Sequence, residues 1–226
     1  VQDSTDRERR GLAVRRMYRT IAPWITENPM YHHMRNANPD QVRTAIDQAA
    51  EVGFEMVILS FGGGFDIENT DPGYLQQWKD IAAYARSKDI DMGCYSLLSS
   101  RSVGGGNDVV SPPGQRPMFG RAPCLESEWG QEYFQKLYNF YDNIGFMCFE
   151  HDGNYPGDVC TATHHPGHTG IEDSQWNQWK MITDFYAHCR ANGVYLNVPD
   201  RYYLMGSNKC GMGYREVNWS LPRAQQ

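Results

Sequence analysis

The sequence predicts an α/β fold of the (β/α)8-barrel type, with about five to six strands present and the barrel incomplete within its 226 residues. Three observations carry that expectation. Four segments with helical periodicity are each followed at once by a short apolar run. Gly53, Gly145 and Gly193 stand at three of those four junctions, where a helix end favours a left-handed residue. The connections are also unequal. Helix-to-strand turns are short, whereas the strand-to-helix segments Gly62 to Asp71, Ser99 to Glu126 and Gly153 to Asp173 are long. Every long loop therefore lies at the carboxyl end of a strand, the face that carries the active site in an α/β barrel.

The elements follow in order. Arg16 to Trp24 reads as a first strand of poor propensity. Asn38-Pro39 opens the first helix, which runs to about Val52 with Ala45, Ile46, Ala49 and Ala50 on one face. Phe54 to Phe61 is the next apolar run. Asp71-Pro72 opens a helix to about Lys88, with Leu75, Trp78, Ile81, Ala82 and Ala85 aligned, and Ile90 to Leu98 follows as a strand. Ser127 caps a third helix carrying Tyr133, Phe134, Leu137, Tyr138 and Tyr141, before the run Phe146 to Phe149. Asp173 or Ser174 caps a fourth, with Trp176, Trp179, Ile182, Phe185 and Cys189 on its apolar side, before Val194 to Val198. Tyr214 to Trp219 is a possible sixth strand. Alternation of this kind implies parallel strands joined by helical crossovers. A complete eight-stranded barrel takes about 250 residues. The expectation is therefore one α/β-barrel catalytic domain over residues 1–226, partial, within a longer protein.

Composition narrows the function classes. A net charge of −6 argues against nucleic acid or an anionic membrane as partner, and no apolar run reaches the length of a membrane span. The start, Val1-Gln2-Asp3-Ser4, shows no signal peptide. It is compatible with a removed targeting segment, and a periplasmic or secreted location is the expectation. The six cysteines contain no C-x-x-C pair; Cys94 and Cys148 sit in strands as small hydrophobes, which weighs against disulfides.

The chemistry gathers at the strand ends. Phe146-Met147-Cys148-Phe149 runs into Glu150-His151-Asp152. Alternate residues of a strand share a face, so the two carboxylates point one way and His151 the other. Asp152 at a barrel mouth can act as nucleophile or general base; read as a turn residue before Gly153, it is ordinary. Asp200-Arg201 after the last apolar run can line the same face or cap a turn. Asp66 closes the glycine-rich Phe61-Gly62-Gly63-Gly64-Phe65-Asp66, whose glycines allow close approach of a ligand but lack the lysine of a phosphate loop. Gly104-Gly105-Gly106 reads as a flexible stretch. Tyr155, Tyr202 and Tyr203 follow strand ends and suit stacking on a sugar ring. His164, His165 and His168 crowd one loop with Cys160 and Asp158 close by. They either hold a metal or line a solvated loop, and their spacing matches no zinc motif. His32-His33 lines the mouth or is plain surface.

The segment "FMCFEHDGN" resembles the strand-four signature K-W-D-x-N of the retaining α-galactosidases, glycoside hydrolase clan D, families 36 and 27. "RRMYRTIAPWITENP" and the order of later segments are similar to bacterial α-galactosidase-like proteins, and "GVYLNVPDRYYLMGSNKCGMGYREVNW" occupies the place of strand five. The resemblance covers about Arg15 to Arg223. It implies that Asp152 is the catalytic nucleophile of a retaining exo-glycoside hydrolase acting on α-linked sugars, with no cofactor or metal. It implies oligosaccharide or polysaccharide substrates and a role in polysaccharide degradation. Glu150, His151, Asp66, Asp200, Arg201, Tyr155 and Tyr202 are the candidate substrate contacts. The Lys-Trp of the motif is Glu150-His151 here, so an acid replaces a lysine that would meet sugar hydroxyls, which weakens the expectation of galactose. The clan's second acid lies on strand six, and Glu216 is its stand-in unless the remainder of a longer chain supplies it. A homo-oligomer could likewise complete the barrel. The rival readings are a metal-dependent hydrolase built on His164, His165, His168 and Asp152, and a non-catalytic carbohydrate-binding barrel.

Overall fold

The computed structural model describes residues 6–21, 29–98, 100–152 and 157–198. Its elements run α1 (Arg7–Ile21), β1 (Tyr31–Met34), α2 (Pro39–Glu51), β2 (Met56–Leu59), α3 (Pro72–Arg86), β3 (Asp91–Leu97), α4 (Glu128–Ile144), β4 (Cys148–Asp152), α5 (Ser174–Ala191) and β5 (Tyr195–Asn197). The helix starts follow local chemistry. The Asn38 side chain accepts from the amides of Asp40 and Gln41, Asp71 accepts from Tyr74, and Ser127 accepts from Gly130. Pro39 and Pro72 occupy first positions, where the missing amide costs nothing. Gly145 closes α4 with φ +86°, a left-handed conformation that admits glycine without penalty.

The amino-terminal expectation is corrected. Residues 16–21 belong to helix α1, and the first strand among the described residues is Tyr31–Met34. Arginine, leucine and methionine in Arg7–Ile21 are strong helix formers, and Asp6 accepts from the Arg9 amide at 2.9 Å to start the turn. Tyr-His-His-Met has little intrinsic strand character. It is held by a parallel ladder to β2 in which Tyr31 pairs with Met56 and His33 with Ile58. Trp176 also departs from its expected place: it is 62% exposed on α5, stacked on Trp179 at 5.0 Å. Among the described residues no helix is long and apolar enough to cross a membrane. The possible strand over 214–219 lies outside the described residues.

The five strands form one parallel sheet in the order β1-β2-β3-β4-β5. Its two faces differ. Val57, Leu59, Met92, Cys94, Phe149 and Leu196 point to the helices and join the main core with Trp78, Ile81, Leu137, Phe140 and Phe185. Met56, Ile58 and Cys148 point the other way and pack with Tyr31 and Tyr195. That second face is concave. β1 and β4 are three strand spacings apart, roughly 14 Å in a flat sheet. Yet His33 Nε2 of β1 lies 2.6 Å from Glu150 Oε2 of β4. Side chains that stand perpendicular to a sheet meet over that span only if the sheet curls. The contact of Tyr31 on β1 with Asn197 on β5 requires the same curl. The architecture is an arc of five parallel strands with helices outside, compatible with part of an eight-stranded barrel.

Gly93, in the middle of β3, marks how tightly the concave side is packed. A Cβ there would lie 2.7 Å from Cys148 Cβ and 3.1 Å from Ile58 Cγ1. Gly93→Ala is therefore expected to lower unfolding free energy by about 1–3 kcal/mol, read as a lower urea midpoint. An unchanged midpoint would mean that the concave layer yields at no cost.

Candidate active site

β4 ends between β3 and β5, with Tyr95 paired to Glu150, Leu97 to Asp152 and Asn197 to Glu150. Strand alternation sends Glu150 and Asp152 to the concave face and His151 to the helices. Glu150 is 2% exposed. Its Oε2 accepts from Asn197 Nδ2 at 2.5 Å and meets His33 Nε2 at 2.6 Å. Two donors from β1 and β5 thus satisfy a buried carboxylate that would otherwise be costly. One layer nearer the strand ends, Asp152 is half-buried and its Oδ2 accepts from the Tyr95 hydroxyl at 2.8 Å. Among the described residues its side chain has this one phenolic donor, which leaves lone pairs available to a ligand.

Tyr95 also walls a cleft of about 300 Å³ at the ends of β2 and β3. Phe61, Phe65, Asp66, Glu68 and Arg101 share its lining. Phe61 is 55% exposed and meets Tyr95 edge-on at 5.4 Å, so an aromatic face stands open beside the hydroxyl that holds Asp152. Arg101 is fixed from two sides, pairing with Glu68 at 2.7 Å and lying 5.0 Å from the centre of the Trp129 ring. Asp66 lines the cleft while its Oδ1 accepts from the Glu68 amide at 2.9 Å, an Asx turn that holds the loop.

His151 is corrected as a substrate contact. It is fully buried on the helix side, with Nδ1 2.8 Å from the Tyr186 hydroxyl and Nε2 3.2 Å from that of Tyr133. The same alternation that brings its neighbours to the mouth carries it away. Burial pushes its pKa down to about 3, so the ring is neutral at pH 7 and ties β4 to α4 and α5. An unfolded histidine titrates near 6.5, so between about 6.5 and 3 the unfolded chain binds more protons. Its contribution is complete above pH 6.5 and declines as the pH falls, by up to about 1.4 kcal/mol per unit. His151→Phe is expected to flatten the acid limb of the melting temperature against pH; an equally steep limb in the variant would assign the loss to carboxylates alone.

Glu216, Asp200, Arg201, Tyr155 and Tyr202 lie outside the described residues, as does Tyr203. Sequence reasoning missed Tyr95, Asn197 and Phe61 as site residues. The alternation of β3 carried a signal for Tyr95, which falls two positions after Gly93 on the same face. His33, left open between mouth and surface, lies within β1 and reaches Glu150. The histidine loop is arranged differently from the metal-hydrolase reading. His165 and His168 come together with Cys124 and Cys160; neither Asp152 nor His164 belongs to that group, and His164 instead has Nε2 3.0 Å from the Gly106 carbonyl.

No family model and no curated protein matches this chain. Solved structures do. The α-galactosidase AgaA from Geobacillus stearothermophilus, in complex with stachyose, superposes with TM-score 0.61 at 11% identity, over 89% of this chain and 33% of that one. The α-N-acetylgalactosaminidase NagBb from Bifidobacterium bifidum, in complex with GalNAc, gives TM-score 0.56 at 13% identity, over 92% of this chain and 41% of that one. The α-galactosidase from Lactobacillus brevis gives TM-score 0.57 at 11% identity, over 89% and 33%. The fold is related to that of these glycoside hydrolases, and the chain spans between a third and about two-fifths of their length.

Proposed function

We propose that this chain is the nucleophile-bearing part of a retaining exo-glycoside hydrolase acting on α-linked sugars, a single α/β-barrel catalytic domain within a longer protein. One observation carries the reading: Asp152 stands half-buried at the carboxyl end of β4, beside a cleft whose wall, Tyr95, is also its hydrogen-bond donor. The likeness of the fold to solved α-galactosidases and an α-N-acetylgalactosaminidase supports it.

In this mechanism Asp152 attacks the anomeric carbon and forms a glycosyl–enzyme ester while the leaving oxygen takes a proton from a second carboxylic acid. That acid, about 5 Å away, then activates the water that cleaves the ester. Glu216, or a residue beyond 226, supplies it. The Tyr95 hydroxyl, donating to Oδ2, orients Asp152 for attack. The exposed Phe61 ring offers an apolar face to a pyranose, and Asp66, Glu68 and Arg101 offer hydrogen bonds to its hydroxyls. Asp200, Arg201, Tyr155 and Tyr202, outside the described residues, are further candidate substrate contacts by sequence. Glu150 acts from below, through the His33 and Asn197 network that fixes the end of β4.

The test uses the full-length protein with aryl α-galactosides and α-N-acetylgalactosaminides, following the first-formed sugar by proton NMR. The α-anomer is expected first. A β-anomer first would exclude the double displacement, and sugar binding without hydrolysis would establish the non-catalytic reading instead.

A further inference from the structure

The side chains of Cys124, Cys160, His165 and His168 are all buried, and one ligand atom from each lies within 4.8 Å of every other. Three of the separations are close to those of a coordination shell. His165 Nδ1 is 3.1 Å from His168 Nε2, Cys160 Sγ is 3.6 Å from His165 Nδ1, and Cys124 Sγ is 3.3 Å from His168 Nε2. A tetrahedron with Zn–N near 2.05 Å and Zn–S near 2.3 Å has edges of about 3.3 Å between nitrogens and about 3.6 Å between nitrogen and sulfur. We propose that these four residues bind one zinc ion in a closed structural site that locks the β3–α4 loop to the β4–α5 loop.

The surroundings fit that ion better than they fit four unligated side chains. Ala162 and Val109 pack on the two sulfurs, so the thiols have an apolar neighbourhood. Two imidazole nitrogens facing each other need a proton or a cation between them. A divalent zinc with two thiolates and two neutral imidazoles is uncharged overall, which suits burial. For His165, Cys160 and Cys124 the outer contacts are those that orient metal ligands, while His168 Nδ1 is buried with no hydrogen-bond partner among the described residues. His165 Nε2 lies 2.8 Å from the Gly106 carbonyl, which fixes the proton on that nitrogen and leaves Nδ1 bare towards the group. The Val110 amide donates to Cys160 Sγ at 3.4 Å, and the amides of Glu126 and Ala162, each two residues after a cysteine, also donate to the sulfurs. Amide donors of this kind are what zinc-bound sulfurs meet in their outer shell.

The loops are built to close here. Gly104, Gly105 and Gly106 all have positive φ, at 68°, 59° and 80°, and present the Gly106 carbonyl to His165; the stretch read as flexible is an anchor. A Cβ on Gly167, between the histidines, would lie 1.6 Å from Glu126 Oε2, so the two loops touch without room for a side chain. Four protein ligands fill a tetrahedron and leave no position for water or substrate, which makes the site structural and distinguishes it from a hydrolytic metal centre. Both loops rise from the ends of β3 and β4, the strands that carry Tyr95 and Asp152. The ion would therefore set the shape of the mouth without entering the reaction. Binding releases the two thiol protons to solvent.

The full-length protein, purified without chelator, is expected to hold about one zinc per chain by elemental analysis. Cobalt exchanged into it should show the visible bands of a tetrahedral thiolate site. Cys124→Ser and His168→Ala should lower the metal content to about a tenth or less, whereas His164→Ala and Asp152→Asn should keep it. Because the first two variants can fail to fold, the wild-type protein is also melted with and without a strong chelator, and a fall in melting temperature on zinc removal is expected. Metal below about a tenth of an equivalent with no cobalt spectrum, or a Cys124–Cys160 disulfide in the native protein by mass spectrometry, would overturn the proposal. Zinc lost in Asp152→Asn would do the same, by moving the ion to the catalytic carboxylate.

Discussion

Asp152→Asn is expected to reduce turnover of an aryl α-glycoside by about 10³- to 10⁶-fold while leaving the melting temperature within a degree or two of the parent. The substitution keeps the shape of the side chain and one oxygen that can accept from the Tyr95 hydroxyl, now at 2.8 Å from Oδ2. On the proposed mechanism it removes the oxygen nucleophile that forms the glycosyl ester. Every element that positions residue 152, the pairing of Leu97 with it and the β3 ladder, uses backbone atoms and survives the change. Loss of activity without loss of fold is therefore the signature of a nucleophile. Activity within tenfold of the parent would remove Asp152 from the chemistry. Loss of activity together with collapse of the fold would assign it a structural role.

The second large effect is on stability. Glu150→Ala is expected to lower unfolding free energy by about 3–5 kcal/mol, measured by urea titration at neutral pH. The cost has two sources. The Asn197 amide and the His33 ring lose a common acceptor, and both are committed to it at hydrogen-bond distance, 2.5 and 2.6 Å. The deletion also opens space between β1, β4 and β5 under Asp152. Glu150→Gln keeps one carbonyl acceptor and is expected to cost roughly half as much. If alanine and glutamine behave alike, the network contributes by volume and not by its hydrogen bonds. Near-neutral behaviour of both would mean that water replaces the carboxylate and that the concave layer is wetter than the 2% exposure of Glu150 indicates.

The caps at Asn38, Asp71 and Ser127 and the glycine at 145 were legible because each is a local bargain between a side chain or a φ angle and the backbone beside it. The strands β2 to β5 were legible because each lies in or beside a short apolar run that directly follows a helix. β1 was not. A four-residue strand with two histidines has no propensity of its own, and it exists because β2 offers a ladder and Glu150 offers His33 a partner 117 positions away in sequence. The helix over Arg7–Ile21 was passed over for a strand whose apolar pattern was weaker than the helical preference of its arginines.

The site divides in the same way. Alternation alone predicted that Glu150 and Asp152 share a face opposite His151, and the structure has that arrangement. No spacing rule could announce that His151 would be pinned between two tyrosines, or that Cys124 would join Cys160, His165 and His168 from a loop more than thirty positions earlier.

Local order, then, was the sequence's own: where helices begin, where apolar strands follow, and which way the acids of β4 point relative to their histidine. Those features depend on neighbours within a few positions, whose steric and hydrogen-bonding preferences act before any long-range contact forms. The curl that brings β1 against β4, the partners of Glu150, and the gathering of two cysteines and two histidines were decided in three dimensions. Each joins residues from separate elements, and which of them meet depends on how the sheet bends and how the long loops fold back on it.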